Sequence, residues 1–461
     1  MAFVGREPEL TALRREHASS ASAFVPIYGR RRVGKSELIL RFLRETGGVY
    51  YLGKKATPAL QIRELLREAA VALGEPLLAE VDTDDWEKAL SLIVDRSRKD
   101  EKLVLVLDEI QWIVAMSPEL PSVLQKLWDR SWKRSGRVML ILCGSFVGFM
   151  EREILGRESP LFGRRTAQIH LRPFGYREAA LMHPSWSIEE RARAYFLVGG
   201  VPHYLDLFAR DRSVESNVEA LILDEHGPLH REPDFLLREE LRDVESYYAV
   251  LLAIADGEST QPGIAKRSAI PARSLHYYLG QLVELGYVAR RFPLSSRGAN
   301  ARSVRYVLED PLLRFWFRFV FPNLSYLALR GPAVGFRERV APELSSYLGG
   351  GFERLCREAL PALYAHERIS AGFEVGEYWD RDVQIDVVGL REDGWIDLGE
   401  CKWGTVRSLP AVERELEAKV AAFPNPSNAT VARRIFVRRA PAGATKGTVR
   451  VHDLASLYAL P

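Results

Sequence analysis

The eight residues GRRRVGKS, Gly29–Ser36, constrain this chain more than any other stretch. They fit the pattern G-x-x-x-x-G-K-[ST]. They lie between an apolar run, FVPIYG (24–29), and a helix-periodic run, KSELILRFLRE (35–45), in which Leu38, Ile39, Phe42 and Leu43 share a face. Glycines at both ends let the backbone curl until its N–H groups converge on phosphate oxygens. The helix that follows adds the positive end of its dipole. Gly29, Arg30, Arg31, Arg32, Val33, Gly34, Lys35 and Ser36 are therefore the candidate nucleotide cradle. Lys35 is expected to reach the β- and γ-phosphates and Ser36 to ligate Mg²⁺. The loop does not decide whether the arginine side chains face solvent, a partner or nucleic acid.

Such a loop predicts a parallel sheet, and the first ~170 residues alternate strand-like and helix-like runs accordingly. KLVLVLDE (102–109) and RVMLILCGS (137–145) read as strands covered on both faces. The first ends in Asp108, expected in the Mg²⁺ shell, and Glu109, expected to activate or orient the attacking water. No N-K-x-D guanine signature is visible, which favours ATP over GTP. Ser145, at the end of the next strand, reads either as a γ-phosphate sensor or as a cap on a turn. Arg164 and Arg165, ahead of the following strand, read either as an arginine finger, in cis or in trans, or as a solvated basic turn.

A length of 461 residues exceeds a single core and sets a prior of two to four domains. The net charge of +3 does not mark a nucleic-acid binder, so such a claim must rest on local clusters. Cys143, Cys356 and Cys401 are odd in number and far apart, which argues against a disulfide framework and for a reducing cytoplasm. The N-terminus lacks an apolar signal core, and the most apolar windows fall short of the ~20 residues a membrane span takes. No membrane partner is expected.

Further along, residues 262–292 give two helices, with Leu275, Tyr278 or Leu279, Leu282 and Leu285 on one face. YVARRF and SVRYVL (303–308) read as a hairpin, which together predicts a winged helix-turn-helix. Arginines 290, 291, 297, 302 and 305 lie in that hairpin with no acid among them. The cluster suits a phosphate backbone, and Ser274, His276 and Tyr277 suit a groove. Packing against protein is the competing reading. The aromatic run RFWFRFVF reads as core.

Near the C-terminus, Glu353 falls in a helix, Asp386 in the apolar strand VQIDVV, and Glu400 and Lys402 at the end of WIDLGECK. Residues two apart on a strand share a face, so Glu400 and Lys402 point together and strand pairing can bring in Asp386. Asp386 and Glu400 make a hard-oxygen site for Mg²⁺, which can generate hydroxide at a phosphodiester. Lys402 would orient the water or stabilise charge, and Glu353 would complete the metal shell or order the lysine. The order E…D…E-x-K is that of the restriction-endonuclease-like fold. An idle scaffold or a salt-bridged sheet end is the competing reading.

FVGRE, GRRRVGKSEL, LDEIQW, GGVPHYL, DPLLRFWFRF and GECKW, in that order, resemble the archaeal-type AAA+ ATPases, also found in bacteria, that carry a C-terminal domain of unknown function 234. The resemblance implies an α/β fold. A P-loop ATPase core of the ORC or STAND kind would occupy 1–175, a helical lid 176–240, a winged helix 241–325 and a restriction-endonuclease-like domain 330–461. It places nucleotide roles on Gly29, Gly34, Lys35, Ser36, Asp108 and Glu109. Nuclease roles fall on Glu353, Asp386, Glu400 and Lys402. Gln384 departs from the acid that often stands in such strands. ATP and Mg²⁺ are the implied cofactors, DNA is the implied partner, and a homo-oligomer is allowed. Two functions are carried forward. One is an Mg²⁺-ATP-dependent switch governing a DNA-handling nuclease module. The other is a regulatory signalling ATPase whose terminal domains only bind partners.

Overall fold

A computed structural model describes residues 3–295, 303–441 and 449–460, and the chain divides into two compact units at Pro173. The first unit holds α1 (Glu7–Ala18), β1 (Ala23–Tyr28), α2 (Lys35–Thr46), β2 (Val49–Leu52), α3 (Pro58–Leu73), α4 (Trp86–Arg96), β3 (Leu103–Asp108), α5 (Ile110–Met116), β4 (Val138–Gly144) and β5 (Ile169–His170). The strands form one parallel sheet in the order β2-β3-β4-β1-β5. Every residue of β1, β3 and β4 is buried, as the unbroken apolar runs require of a sheet covered on both faces. Two apolar clusters fill those faces. One includes Leu65, Trp86, Leu105 and Leu140, and the other Leu38, Phe42, Val106 and Ile141. Each such aliphatic side chain stabilises the unit by about 1.5–3 kcal/mol on leaving water. Since β4 lies between β1 and β3, the loop after β1 and the acids ending β3 open on the crevice where strand order switches.

The second unit includes α6 (Ile188–Val198), α7 (Val244–Ala255), α8 (Gln261–Ser268), α9 (Ala272–Glu284), the antiparallel ribbon β6 (Val288–Arg291) and β7 (Arg305–Leu308), α10 (Pro311–Phe315) and the long α11 (Ala341–His366). It ends with β8 (Phe373–Trp379), β9 (Gln384–Arg391), β10 (Trp395–Lys402), α12 (Leu409–Ala422), β11 (Thr430–Val437) and β12 (Arg450–Asp453). Helices α7 to α9 and the ribbon follow in the order a winged helix needs. Leu275, Leu279 and Leu282 of α9 are buried while His276 and Tyr277 are exposed. The aromatic run is core: Phe315, Trp316, Phe317 and Phe319 are all buried.

Two of the ribbon's arginines are engaged within the second unit. Arg291 pairs with Glu309 at 2.7 Å, and Arg305 lies 4.5 Å over the Trp379 ring and donates to Gln384. Arg290 is exposed, and Arg297 and Arg302 lie outside the described residues.

The last sheet is mixed, ordered β12-β11-β10-β9-β8, with β8, β9 and β10 antiparallel and β10, β11 and β12 parallel. Side chains alternate across it, so Asp397 and Glu400 face opposite ways. On the Asp397 side, Tyr364 of α11 donates to Asp397 at 2.8 Å, and the fully buried Arg434 bridges Asp397 and Glu367 at 2.6 and 2.7 Å. That network ties the helix carrying Glu353 to the sheet carrying the other acids.

Candidate functional site

At the first site, α2 begins at Lys35 and Gly34 caps it with φ +92. A Cβ on Gly34 would meet nothing within 4 Å, so the loop leaves an open cradle there. A Cβ on Gly29, φ +154, would lie 2.1 Å from the Leu171 carbonyl oxygen, so only glycine fits that close approach. Arg6, from the FVGRE block, holds the curl by donating to the Val33 and Arg172 carbonyls at 3.0 and 2.8 Å. Lys35 is buried and donates to the Gly29 and Arg30 carbonyls at 2.9 and 3.0 Å. Burial lowers its pKa, opposed by nearby acids that include Glu109 and Asp108.

Ser36 donates to Asp108 Oδ2 at 2.7 Å. Two hard oxygens thus meet at the foot of the cradle, which is the donor chemistry Mg²⁺ requires. Sequence reasoning missed Tyr50, whose hydroxyl donates to the same Oδ2 at 2.7 Å. Burial and then Asp108 push the Tyr50 phenol far up. Glu109 sits in the left-handed region at φ 50, and such strain in a non-glycine residue gathers at working sites. Its carboxylate accepts from Ser145 Oγ at 2.7 Å and from Gln111 Nε2. Ser145 is therefore joined to the acid, not merely to its own turn. Arg31 lies 5.7 Å over the Phe146 ring, beside Ser145. Arg32 is exposed and takes φ 67.

Arg164 is committed to Asp129 at 2.6 and 3.0 Å. Arg165 is exposed, and no hydrogen bond among the described residues joins it to the loop.

The second site is built by four elements, α11, β9, β10 and α12. In β9–β10 Gly399 pairs with Val387, and continuing that register sets Glu400 beside Asp386. The Cys401 amide donates to Asp386 Oδ2 at 2.9 Å. Lys402 donates to Glu400 at 2.8 Å and to Glu415 at 3.0 Å. Lys419 on α12, which the sequence did not single out, takes the other Glu400 oxygen at 2.6 Å. Arg357, one turn along α11 from Glu353, donates to the Asp386 carbonyl at 2.7 Å.

Burial, and then the Asp386 charge, lift Glu353 from the ordinary 4.5 to about 7. Burial raises Asp386 as well, and burial followed by Asp386 raises Glu400. The four expected residues are thus gathered, with the three acids disfavouring one another's charge. Among the described residues, however, no group of three or more His, Cys, Asp or Glu side chains is arranged to hold a metal ion. Lysines, not a cation cradle, balance Glu400. Among the described residues no helix is long and apolar enough to cross a membrane.

Comparison with known proteins gives two family matches. Residues 3–208 match an ATPase domain predominantly from Archaea, and residues 316–415 match the domain of unknown function 234, described as archaeal and bacterial proteins of unknown function. An uncharacterised protein of Methanocaldococcus jannaschii is 28% identical over 421 residues, covering 90% of this chain and 91% of its own. Among solved structures, the Walker-type ATPase of Pyrococcus abyssi superposes with a TM-score of 0.52 at 20% identity. It covers 68% of this chain and 96% of its own. The ORC2 protein of Aeropyrum pernix gives 0.47 at 18% identity, covering 71% and 95%.

Proposed function

Because the chain joins an archaeal-type ATPase domain to a domain of unknown function 234, we propose that it is an Mg²⁺-dependent, ATP-hydrolysing switch whose second unit acts on DNA. The observation that carries the nucleotide half is the Ser36–Asp108 contact at the foot of an open glycine cradle. A triphosphate draws Lys35 away from the Gly29 and Arg30 carbonyls, and the first-turn amides of α2 hold its oxygens. Mg²⁺, when bound, neutralises charge on the transferring phosphoryl group. Ser36 and Asp108 are the residues that hold it. Glu109 takes the proton of the attacking water, and Ser145 reports the γ-phosphate through its bond to Glu109. Arg165, exposed ahead of β5, is the arginine available to its own or a neighbouring nucleotide, and a homo-oligomer is one way to use it.

The acid cluster is the effector. Glu353, Asp386 and Glu400 hold and deprotonate water, and Lys402 stabilises charge on a phosphodiester. ATP binding and hydrolysis set whether that cluster is used. The paired lysines on Glu400 favour a second reading, a regulatory ATPase whose terminal module only binds partners.

The test is cleavage of several DNA forms with ATP and Mg²⁺ or Mn²⁺, on the intact chain and on Asp386→Ala. Cleavage lost in the variant while ATP turnover persists supports the switch with a nuclease effector. ATP turnover without cleavage by the intact chain under any metal leaves the binding-only reading.

A further inference from the structure

Glu109 does not meet Ser145 alone. Gln111, two residues further along, closes a ring with both. Its amide Nε2 donates to Oε2 of Glu109 and to Ser145 Oγ, the latter at 3.0 Å. The Ser145 hydroxyl donates to that same Oε2 at 2.7 Å. An amide nitrogen has two N–H donors and a hydroxyl has one, so the ring uses every donor hydrogen it contains. A carboxylate only accepts, so the nitrogen of the amide, and not its carbonyl, must face Glu109. Among the described residues no hydrogen bond reaches the other carboxylate oxygen of Glu109, Oε1.

Folding does not account for Gln111. The side chain is 4% exposed, and its own Oε1 is buried without a hydrogen-bond partner among the described residues. That oxygen lies against the bare backbone of Gly144, where an added Cβ would sit 3.0 Å from it. A buried carbonyl with no donor is a cost that an apolar side chain of similar shape would not carry. Nor is the amide needed to join α5 to the end of β4. Ile110 and Ile113 of α5 are buried in the same apolar cluster as Leu140 and Leu142 of β4. Trp112 packs edge-on against Phe146, with ring centres 5.3 Å apart. The polar ring lies beside that packing and adds a directed contact to the acid that follows Asp108.

A general base must keep one oxygen still and the other open. Both donors of the ring take Oε2, so Oε1 is left for the proton of the attacking water. The backbone of Glu109 is constrained as well, at φ 50, a conformation that side chains other than glycine rarely adopt. Were the Ser145 hydroxyl to turn to a γ-phosphate, Gln111 would be the donor left on Oε2.

We propose that Gln111 is a positioning residue for ATP hydrolysis: its amide fixes Oε2 of Glu109, presents Oε1 to the attacking water, and keeps that hold while Ser145 engages the γ-phosphate. The proposal rests on the reading of Gly29–Ser36 as a nucleotide cradle with Glu109 as its base.

The experiment uses the full chain. It measures kcat and KM for ATP with Mg²⁺, ATP affinity without metal, and the thermal midpoint of the nucleotide-free protein. Gln111→Met keeps the length of the side chain and removes both the N–H donors and the unpartnered carbonyl. Its kcat should fall by about 10–100-fold, the range for one hydrogen bond to a charged group. KM and metal-free ATP affinity should be unchanged, and the midpoint should stay level or rise. Gln111→Asn keeps an amide but withdraws it by one methylene. Its kcat should fall as far, while its midpoint drops because a gap opens in the packing. A Gln111→Met chain that turns over ATP as the intact chain does overturns the proposal. So does one that loses its fold or its ATP affinity together with turnover, because Gln111 would then be structural. An intact chain that does not hydrolyse ATP overturns the nucleotide reading and this inference together. An intact chain that hydrolyses ATP beside an equally active Gln111→Met sinks this inference alone.

Discussion

The two charged sites are built in opposite ways. At the phosphate loop, residues adjacent in sequence converge on an open cradle, and charge is left to be balanced from outside. Lys35 rests on the Gly29 and Arg30 carbonyl oxygens, while Asp108 accepts from the Ser36 and Tyr50 hydroxyls and the Glu109 amide. At the acid cluster, α11, β9, β10 and α12 each send one or two residues, and the charges already neutralise one another. Glu400 has a lysine on each oxygen. A site that lacks counter-charge stays poised for a charged ligand. A site that contains its own must exchange an ion pair to admit one, which makes it easier to hold idle.

The widest gap between them should come from the largest lesion. Lys35→Ala removes the buried cation that the loop, beside its three arginines, offers a triphosphate. ATP turnover should fall by about 10²–10³-fold, as for loss of one preorganised transition-state donor. Titration with ATP should show binding abolished, while nucleotide-free binding of DNA by the second unit is unchanged. An unaltered ATP affinity would remove the basis for calling the cradle a nucleotide site.

That contrast also explains what could be read in advance. The loop, Asp108, Glu109 and Ser145 were legible because they sit at strand ends whose apolar runs are unbroken, so their positions follow from local pattern. The acids were legible from alternation along β9 and β10. Lys419 and Arg357 were not, because they reach the cluster from helices whose rotation is set by packing. The arginine hairpin was legible only in part. Sequence gives its charges but not Glu309, Trp379 and Gln384, which occupy two of them.

The next test separates the sites by pH. Glu353 is lifted from 4.5 to about 7, so the folded unit binds its proton more tightly than the unfolded chain does. Its contribution is fully present below about pH 4.5 and is lost as pH rises through 7. The size is about 3 kcal/mol, at 1.36 kcal/mol per unit. Asp386 and Glu400, also raised, act in the same direction. Glu367 and Glu415 are lowered and act oppositely, losing their contribution as pH falls. Denaturant unfolding across pH 4.5–8 should therefore show the second unit weakening, and Glu353→Gln should flatten that slope. A slope left unchanged by the substitution would mean that burial and the neighbouring acids do not raise Glu353.

The smallest effect is the most local. Tyr50 and Ser36 donate to the same oxygen of Asp108, each at 2.7 Å, and the Glu109 amide holds the other oxygen at 2.8 Å. Were Ser36 to turn to a metal ion, Tyr50 would be the hydroxyl left to hold Asp108 in place. Tyr50→Phe keeps the ring and deletes that donor. A hydrogen bond to a charged group is worth about 1.5–3 kcal/mol, and the lower end applies because the amide bond remains. ATP turnover should drop about tenfold, and more Mg²⁺ should be needed for half-maximal rate, with ATP affinity in the absence of metal unchanged. If only the thermal midpoint moves and the Mg²⁺ dependence stays put, Tyr50 merely packs the strand. Asp108 would then be oriented by the backbone alone, and the loop site would be the more rigid of the two for a reason unrelated to hydroxyl donors.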